Sequence, residues 1–215
     1  MTSDGKCGCD RQGEMQASGF FILDKAVKGK GIIFSAPSGS GKTTIVHNLL
    51  ARGLPLLFSI SACTRQPRSD ERDGRDYYFI PVNEFKKLVE NDEFLEWEEV
   101  YKDHFYGTLR SELTRIWDQE KHVVFDVDVA GGLNLKRQFA NQALALFIMP
   151  PSLPVLKQRL EKRSADPPEK IKVRLEKAKQ EMEYAGRFDR IIVNDQLDVA
   201  VQEAYDAVSA FLELK

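Results

Sequence analysis

Sulfur is scarce in this chain. Three cysteines occur among 215 residues: Cys7 and Cys9 in a polar leader, and Cys63 far from both. No disulfide framework and no four-ligand zinc spacing can be assembled from them, so three free thiols are expected. Long apolar runs are missing as well. No stretch approaches the ~18 residues of a membrane span, and the N-terminus lacks the basic start and apolar core of a secretory signal, so a cytoplasmic protein without a membrane partner is expected. Charge of one sign is not in excess. The 31 Lys and Arg against 33 Asp and Glu leave a net charge of -2, which gives no basis for strong attraction to nucleic acid, although local basic patches remain open. The three histidines, His47, His104 and His122, are scattered with no Asp or Ser partner in any pattern, and structural or surface roles are expected for them. No internal repeat or low-complexity tract is present.

What remains is an ordinary globular composition, 42% hydrophobic and 30% charged, long enough for one α/β domain with inserted lobes. Residues 1–29 open with a Gly-rich, polar, aperiodic stretch and read as a leader, flexible or a matter of which start codon is used. The first convincing strand, Gly31 to Ser35, runs through a Gly/Ser-rich turn into a helical pattern from Thr43 to Leu50. Further strand-like runs follow at Leu56 to Ala62, Tyr77 to Ile80, Phe94 to Tyr101, His122 to Val129, Ala143 to Met149 and Arg190 to Val193. Continuous apolar strands such as Leu144 to Ile148 suit a parallel sheet covered on both faces. The closer, more polar strands between 56 and 101 read as a small antiparallel lobe inserted into that sheet. From Lys157 to Lys179 basic residues predominate around Asp166-Pro167-Pro168, giving two basic helical arms about a turn.

The turn after the first strand, Ala36-Pro37-Ser38-Gly39-Ser40-Gly41-Lys42-Thr43, fits the Walker A pattern at every required position but the first, where Ala stands for Gly. Its glycines let backbone N–H groups converge on phosphates at the positive end of a helix. Lys42 is then placed for the β and γ oxygens of a nucleotide and Thr43 for magnesium, with Thr44 continuing the ATP-binding run. Such a loop establishes phosphate binding and leaves the second substrate open. In Val123-Val124-Phe125-Asp126-Val127-Asp128-Val129 the two aspartates are two residues apart, on one face of a strand and about 7 Å from each other. They stand at its C-terminal end, where open α/β sheets bind ligands. Asp126 is the candidate for the magnesium shell, and Asp128 is free to accept hydrogen bonds from a substrate base or sugar. The alternative is a polar-faced edge strand.

The order of motifs from residue 30 to about 213 resembles the guanylate kinase family. Ser61-Ala62-Cys63-Thr64-Arg65-Gln66-Pro67-Arg68 with Gly74-Arg75-Asp76-Tyr77-Tyr78-Phe79 is similar to the signature of its GMP-binding lobe. Phe94-Leu95-Glu96-Trp97, Tyr106-Gly107-Thr108, Asp126-Val127-Asp128 and Val193-Asn194-Asp195 follow in the family's order. The resemblance implies an α/β P-loop nucleoside-monophosphate kinase fold: a parallel sheet core flanked by helices (30–60, 116–157, 176–215), an inserted mixed or antiparallel GMP-binding lobe (61–115) and a short helical lid (158–175). It implies transfer of the γ-phosphoryl of ATP to GMP, and to dGMP, with Mg2+, in a monomer or homo-oligomer. Arg65, Arg68, Tyr77 and Tyr106 would hold the GMP phosphate, and guanidinium forks suit a phosphate dianion. Ser61, Glu96, Thr108 and Asp128 would surround the guanine, whose N1 and N2 donors suit acceptor-only carboxylates. Arg159, Arg163 and Arg174 align with the lid arginines of the family, which with Lys42 and Arg65 would carry catalysis by charge stabilisation. Solvated helix faces and a solvated turn are the plainer readings of these arginines taken singly.

One departure touches the base pocket: Ala130 stands where the family usually has Gln. Three other classes are weighed against the enzyme. A phosphopeptide-binding module of guanylate-kinase type should have lost Lys42 or the Asp pair. A sugar-phosphate kinase of the same fold should lack Glu96 and Asp128. A regulatory GTPase should carry an Asn/Thr-Lys-x-Asp motif, which is absent.

Overall fold

The five residues of β1, Gly31–Ser35, are buried without exception, and their alternation sets the layers of the molecule. Ile32 and Phe34 face one way, into a cluster with α1 (Lys42–Leu50) and α7 (Leu197–Leu212), which supply Ile45, Leu49, Ala204 and Val208. Ile33 faces the other way, toward Leu113 and Ile116 of α3 (Arg110–Trp117) and Leu135 and Phe139 of α4 (Val129–Phe139). Around β1 lie β2 (Leu56–Phe58), β7 (His122–Val127), β8 (Ala143–Met149) and β9 (Arg190–Val193), in the order β2-β7-β1-β8-β9 with every pairing parallel. Two covered faces explain why the inner strands β1 and β8 are apolar in runs rather than alternating.

A second sheet, in the order β4-β3-β6-β5, is made of β3 (Ala62–Cys63), β4 (Tyr78–Phe79), β5 (Phe94–Tyr101) and β6 (His104–Leu109). It is mixed, with β3 parallel to β4 and antiparallel to β6. Its own core is aromatic: Phe85 of α2 (Val82–Glu90) stacks on Phe94 at 4.4 Å and lies 5.5 Å from Phe105. Beyond β8 come α5 (Leu153–Arg163) and α6 (Pro168–Glu183), closed on each other through Leu156, Leu160 and Ala178.

A computed structural model describes residues 29–69, 71–163 and 167–214, with the side chain of Arg163 outside that description. The leader, apart from Gly29, with Cys7 and Cys9, therefore lies outside the described residues, while Cys63 is a buried free thiol pushed up to about 11 by burial. No helix among the described residues is long and apolar enough to cross a membrane.

Three strand expectations need correcting. The run Leu56 to Ala62 is two strands in two sheets, because the chain leaves β2 for the lobe at Ser59–Ile60. The junction is held by Glu112, 2% exposed, which accepts from the Ile60 N–H at 2.6 Å and the Tyr78 hydroxyl at 3.1 Å and pairs with Arg115 at 2.7 Å. β7 stops at Val127, and Asp128 caps α4 instead of continuing the strand. β6 was not foreseen as a strand. It pairs antiparallel with β5 through a two-residue turn in which Asp103 takes a left-handed φ of 60°, a conformation Asp tolerates.

Candidate active site

Parallel register sets the site. β1 and β7 run side by side with Phe34 opposite Asp126 and Ser35 opposite Val127, so the glycine loop leaves β1 beside the two aspartates. Gly39 and Gly41 have φ of 91° and 88°, conformations that favour glycine. A side chain at Gly41 would also collide with Asn194. Ser40 donates its hydroxyl to Pro37 O at 2.8 Å, tightening the loop. Lys42 Nζ is ion-paired to Asp126 and donates to Val127 O at 2.5 Å, and Thr43 donates to Asp126 Oδ2 at 2.8 Å. The cation beside Asp126 is thus the loop lysine. β7 lies between β2 and β1, which overturns the edge-strand alternative.

The predicted base-reading residues converge. Glu96 is 8% exposed and accepts from the Thr108 hydroxyl at 2.6 Å; Thr108 is fully buried and Ser61 is 8% exposed. Asp128 accepts from Gly131 N at 2.8 Å, and a Cβ on Gly131 would come 2.6 Å from Glu96 Oε2. Glycine there lets the start of α4 pass against the carboxylate. Burial pushes Glu96 up to about 8, against the Thr108 hydrogen bond and with help from the charges of Asp128 and Glu98. Ala130 is exposed in the first turn of α4.

On the phosphate side the structure adds a carboxylate that the sequence reading missed. Arg65 makes a two-pronged pair with Glu71, at 2.6 and 2.7 Å, and its Nε donates to the Tyr106 hydroxyl at 3.1 Å. The guanidinium also lies over Tyr77 at 4.9 Å. Burial opposes ionisation of Glu71, but the Arg65 hydrogen bonds hold it below the usual carboxylate range. Burial raises Tyr77 and Tyr106, so both hydroxyls stay protonated as donors. Arg65 is thus held behind Tyr106, while Arg68, Tyr77 and Tyr106 line a cleft of about 560 Å³.

That cleft is one space. Its other wall is the glycine loop from Ala36 to Thr44, and its remaining lining includes Ser61, Glu96, Asp126, Asp128, Arg159 and Arg174. Arg159 donates to Asn194 O at 2.9 Å and Ser40 O at 3.4 Å, and Asn194 Nδ2 donates to Ser40 O at 2.7 Å. A clip from α5 and the segment after β9 therefore fixes the loop from outside. The Val193-Asn194-Asp195 motif thus carries a structural residue that sequence reasoning missed. Arg163 ends α5, its side chain among those outside the description. Glu98, Lys177 and Glu181 also line the cleft. Burial pushes Glu181 up to about 7 despite Lys177 nearby, and burial with the Asp128 charge raises Glu98. His47 reaches the rim, where its ring meets Phe58 edge-on at 6.4 Å. His122 accepts from Lys30 N at 3.0 Å, a structural role as expected. Among the described residues, no group of three or more His, Cys, Asp or Glu could hold a metal ion unaided.

Comparison with known proteins places the chain among relatives of one family. The sequence profile of the family described as guanylate kinase matches residues 28–211. The chain is 49% identical over 188 residues to the guanylate kinase of Bacteroides thetaiotaomicron, covering 87% of this chain and 92% of that one. It is 50% identical over 182 residues to the guanylate kinase of Porphyromonas gingivalis, covering 84% and 97%. Among solved structures, guanylate kinase from Anaplasma phagocytophilum superposes with a TM-score of 0.71 at 28% identity over 87% of each chain.

Proposed function

The chain belongs to the guanylate kinase family, and from that membership we propose how its residues carry out the reaction, transfer of the γ-phosphoryl of ATP to GMP to give ADP and GDP. The observation that carries the assignment is that one cleft joins the glycine loop and Lys42 to the paired acceptors Glu96 and Asp128. One end suits a nucleotide triphosphate and the other a base that offers donors.

In this reading the backbone N–H groups of the loop and the start of α1 hold the ATP phosphates, and Lys42 leaves Asp126 to meet the β and γ oxygens. Glu96 and Asp128 accept from guanine N1 and N2, with Ser61 beside them and Thr108 holding Glu96 from behind; adenine lacks both donors and leaves buried acceptors unpaired. Arg68, Tyr77 and Tyr106 hold the GMP phosphate, with Arg65 steadied behind them by Glu71. No general base is required, because a phosphate monoester with a second pKa of about 6 is already largely dianionic at neutral pH. The arginines of the lid, Arg159, Arg163 and Arg174, add positive charge where the transferred group spreads its negative charge, and lid closure excludes water.

Magnesium fits the donors present. Thr43 Oγ1 and Asp126 are bonded neighbours at the loop, a hard oxygen pair of the kind that holds this ion together with waters and substrate phosphates. It would neutralise charge on the β and γ phosphates there. We place the reaction in the cytoplasm, extend it to dGMP, and keep the division into core, lobe and lid, with Leu113 of α3 already packed on the core.

A coupled ADP-release assay with ATP, magnesium and each of GMP, AMP, UMP and ribose phosphates tests the proposal. Turnover with GMP, lost in Lys42→Met, is expected. A folded protein that binds GMP but is silent with every acceptor would be a binding module instead.

A further inference from the structure

Two carboxylates in the cleft have no task in the scheme above, Glu98 and Glu181. Glu181 is answered by its own helix, with Lys177 Nζ at 3.7 Å. Glu98 is different. It stands two residues after Glu96 on β5, so the pleat sends both side chains to the same face, while Trp97 between them turns to the opposite face and its ring lies 6.2 Å from Phe105. The antiparallel register makes two successive rungs of this face: Glu96 opposite Thr108, then Glu98 opposite Tyr106. The first rung belongs to the base, with the Thr108 hydroxyl on Glu96 at 2.6 Å. The second begins the phosphate end, where the Tyr106 hydroxyl meets Arg65 at 3.1 Å.

A nucleotide laid from the first rung to the second carries its sugar across the step between them, about 7 Å along the strand. On the β5 side of that step the polar group is the Glu98 carboxylate. It is half-buried, and among the described residues its hydrogen bond is the one that Asn134 of α4 donates to Oε1 at 3.2 Å, which fixes the head and leaves acceptor capacity facing the cleft. Lys177 of α6 and Asp128 are its charged neighbours. A carboxylate at this height is the usual partner of a ribose diol in nucleotide sites, because it accepts from both hydroxyls and can donate to neither.

We propose that Glu98 reads the sugar of the acceptor nucleotide, accepting hydrogen bonds from the vicinal hydroxyls of the GMP ribose, and so sets the preference of this cleft for GMP over dGMP. The inference rests on the guanylate kinase reading of the cleft. It makes dGMP a substrate that keeps the base and phosphate contacts and loses one of the two sugar contacts.

The test is kcat/KM for GMP and for dGMP, at saturating ATP, in wild type, Glu98→Ala and Glu98→Gln. The wild type should prefer GMP, and in Glu98→Ala the ratio of the two should fall by about tenfold or more, the worth of a hydrogen bond to a charged group, with the loss carried by KM for GMP. Glu98→Gln, which keeps the shape and the link to Asn134, should show a smaller fall in the same direction. An unchanged ratio in folded Glu98→Ala, whatever happens to the absolute rates, would overturn the inference and leave Glu98 as a prop for α4. Wild-type protein that turns over neither nucleotide would overturn the reading of the cleft itself.

Discussion

In the proposed reading Asp128 serves fold and substrate at once. Its carboxylate caps α4 through Gly131 N, its carbonyl accepts from the Ser35 hydroxyl at 3.0 Å, and it lines the cleft. Alanine there removes both functions, costing about 1 kcal/mol for the cap, so a weakened Asp128→Ala enzyme would be ambiguous. Asparagine is as good a cap but a poorer partner for two guanine donors. Asp128→Asn should therefore melt like wild type yet raise KM for GMP by about tenfold, with KM for ATP little changed; wild-type affinity for GMP in that variant would remove Asp128 from the base pocket. At this scale the aspartate pair was legible because an acid in an apolar strand is costly without a purpose. Glu71 was not, since nothing in Arg68-Ser69-Asp70-Glu71 says that the chain folds back onto Arg65. Glu98 was visible only as one member of an acidic run.

Among the elements, the loop between β1 and α1 carries the most constraint for its size. Gly41 combines a left-handed φ of 88° with an Asn194 side chain standing where a Cβ would go. Gly41→Ala should cost about 1–2 kcal/mol in backbone strain alone. It should also push Asn194 off Ser40 O, so that ATP affinity and turnover fall together while the fluorescence of Trp97, in the other sheet, reports an intact lobe. Full activity would mean that the clip through Asn194 and Arg159 does not matter. The spans Gly31–Ser35, Phe94–Tyr101, Ala143–Met149 and Arg190–Val193 were all readable from the sequence, because each is a run bounded by turn residues. The break at Ser59 was not, because apolar character continues while the chain changes sheets, and the signal for the change is a buried Glu112 more than fifty residues away. β6 went unread because Gly107 interrupts its alternation and its pairing depends on the Asp103 turn.

For the whole molecule the site has a thermodynamic cost that pH should reveal. Glu96 at about 8 and Glu181 at about 7 both lie above the ordinary glutamate value of 4.5, so the native ligand-free chain holds protons that the unfolded chain has released. Their contribution to stability is full below about pH 4.5 and is lost as pH rises through 7 to 8. Glu71 has the opposite sign: its pKa is lowered, so its contribution is present above the ordinary carboxylate range and fades only in acid. Urea midpoints for ligand-free protein should therefore fall between about pH 5.5 and about pH 8.5, and the slope should flatten in Glu96→Gln; a midpoint that rises across this window in both proteins would contradict the burial of these acids. If Glu96 accepts from guanine as proposed, GMP favours the ionised carboxylate, and binding near neutral pH should release protons.

Discrimination of guanine by a buried carboxylate is the centre of the account, and the ratio of kcat/KM for GMP to that for AMP, in wild type and in Glu96→Gln, tests it most directly. Wild type should favour GMP by about 10⁴ or more, as sites that bury hydrogen-bonding groups do, and the variant should lose at least about tenfold of that ratio with KM for ATP little changed. An unchanged ratio, or equal losses of GMP and ATP affinity, would contradict it.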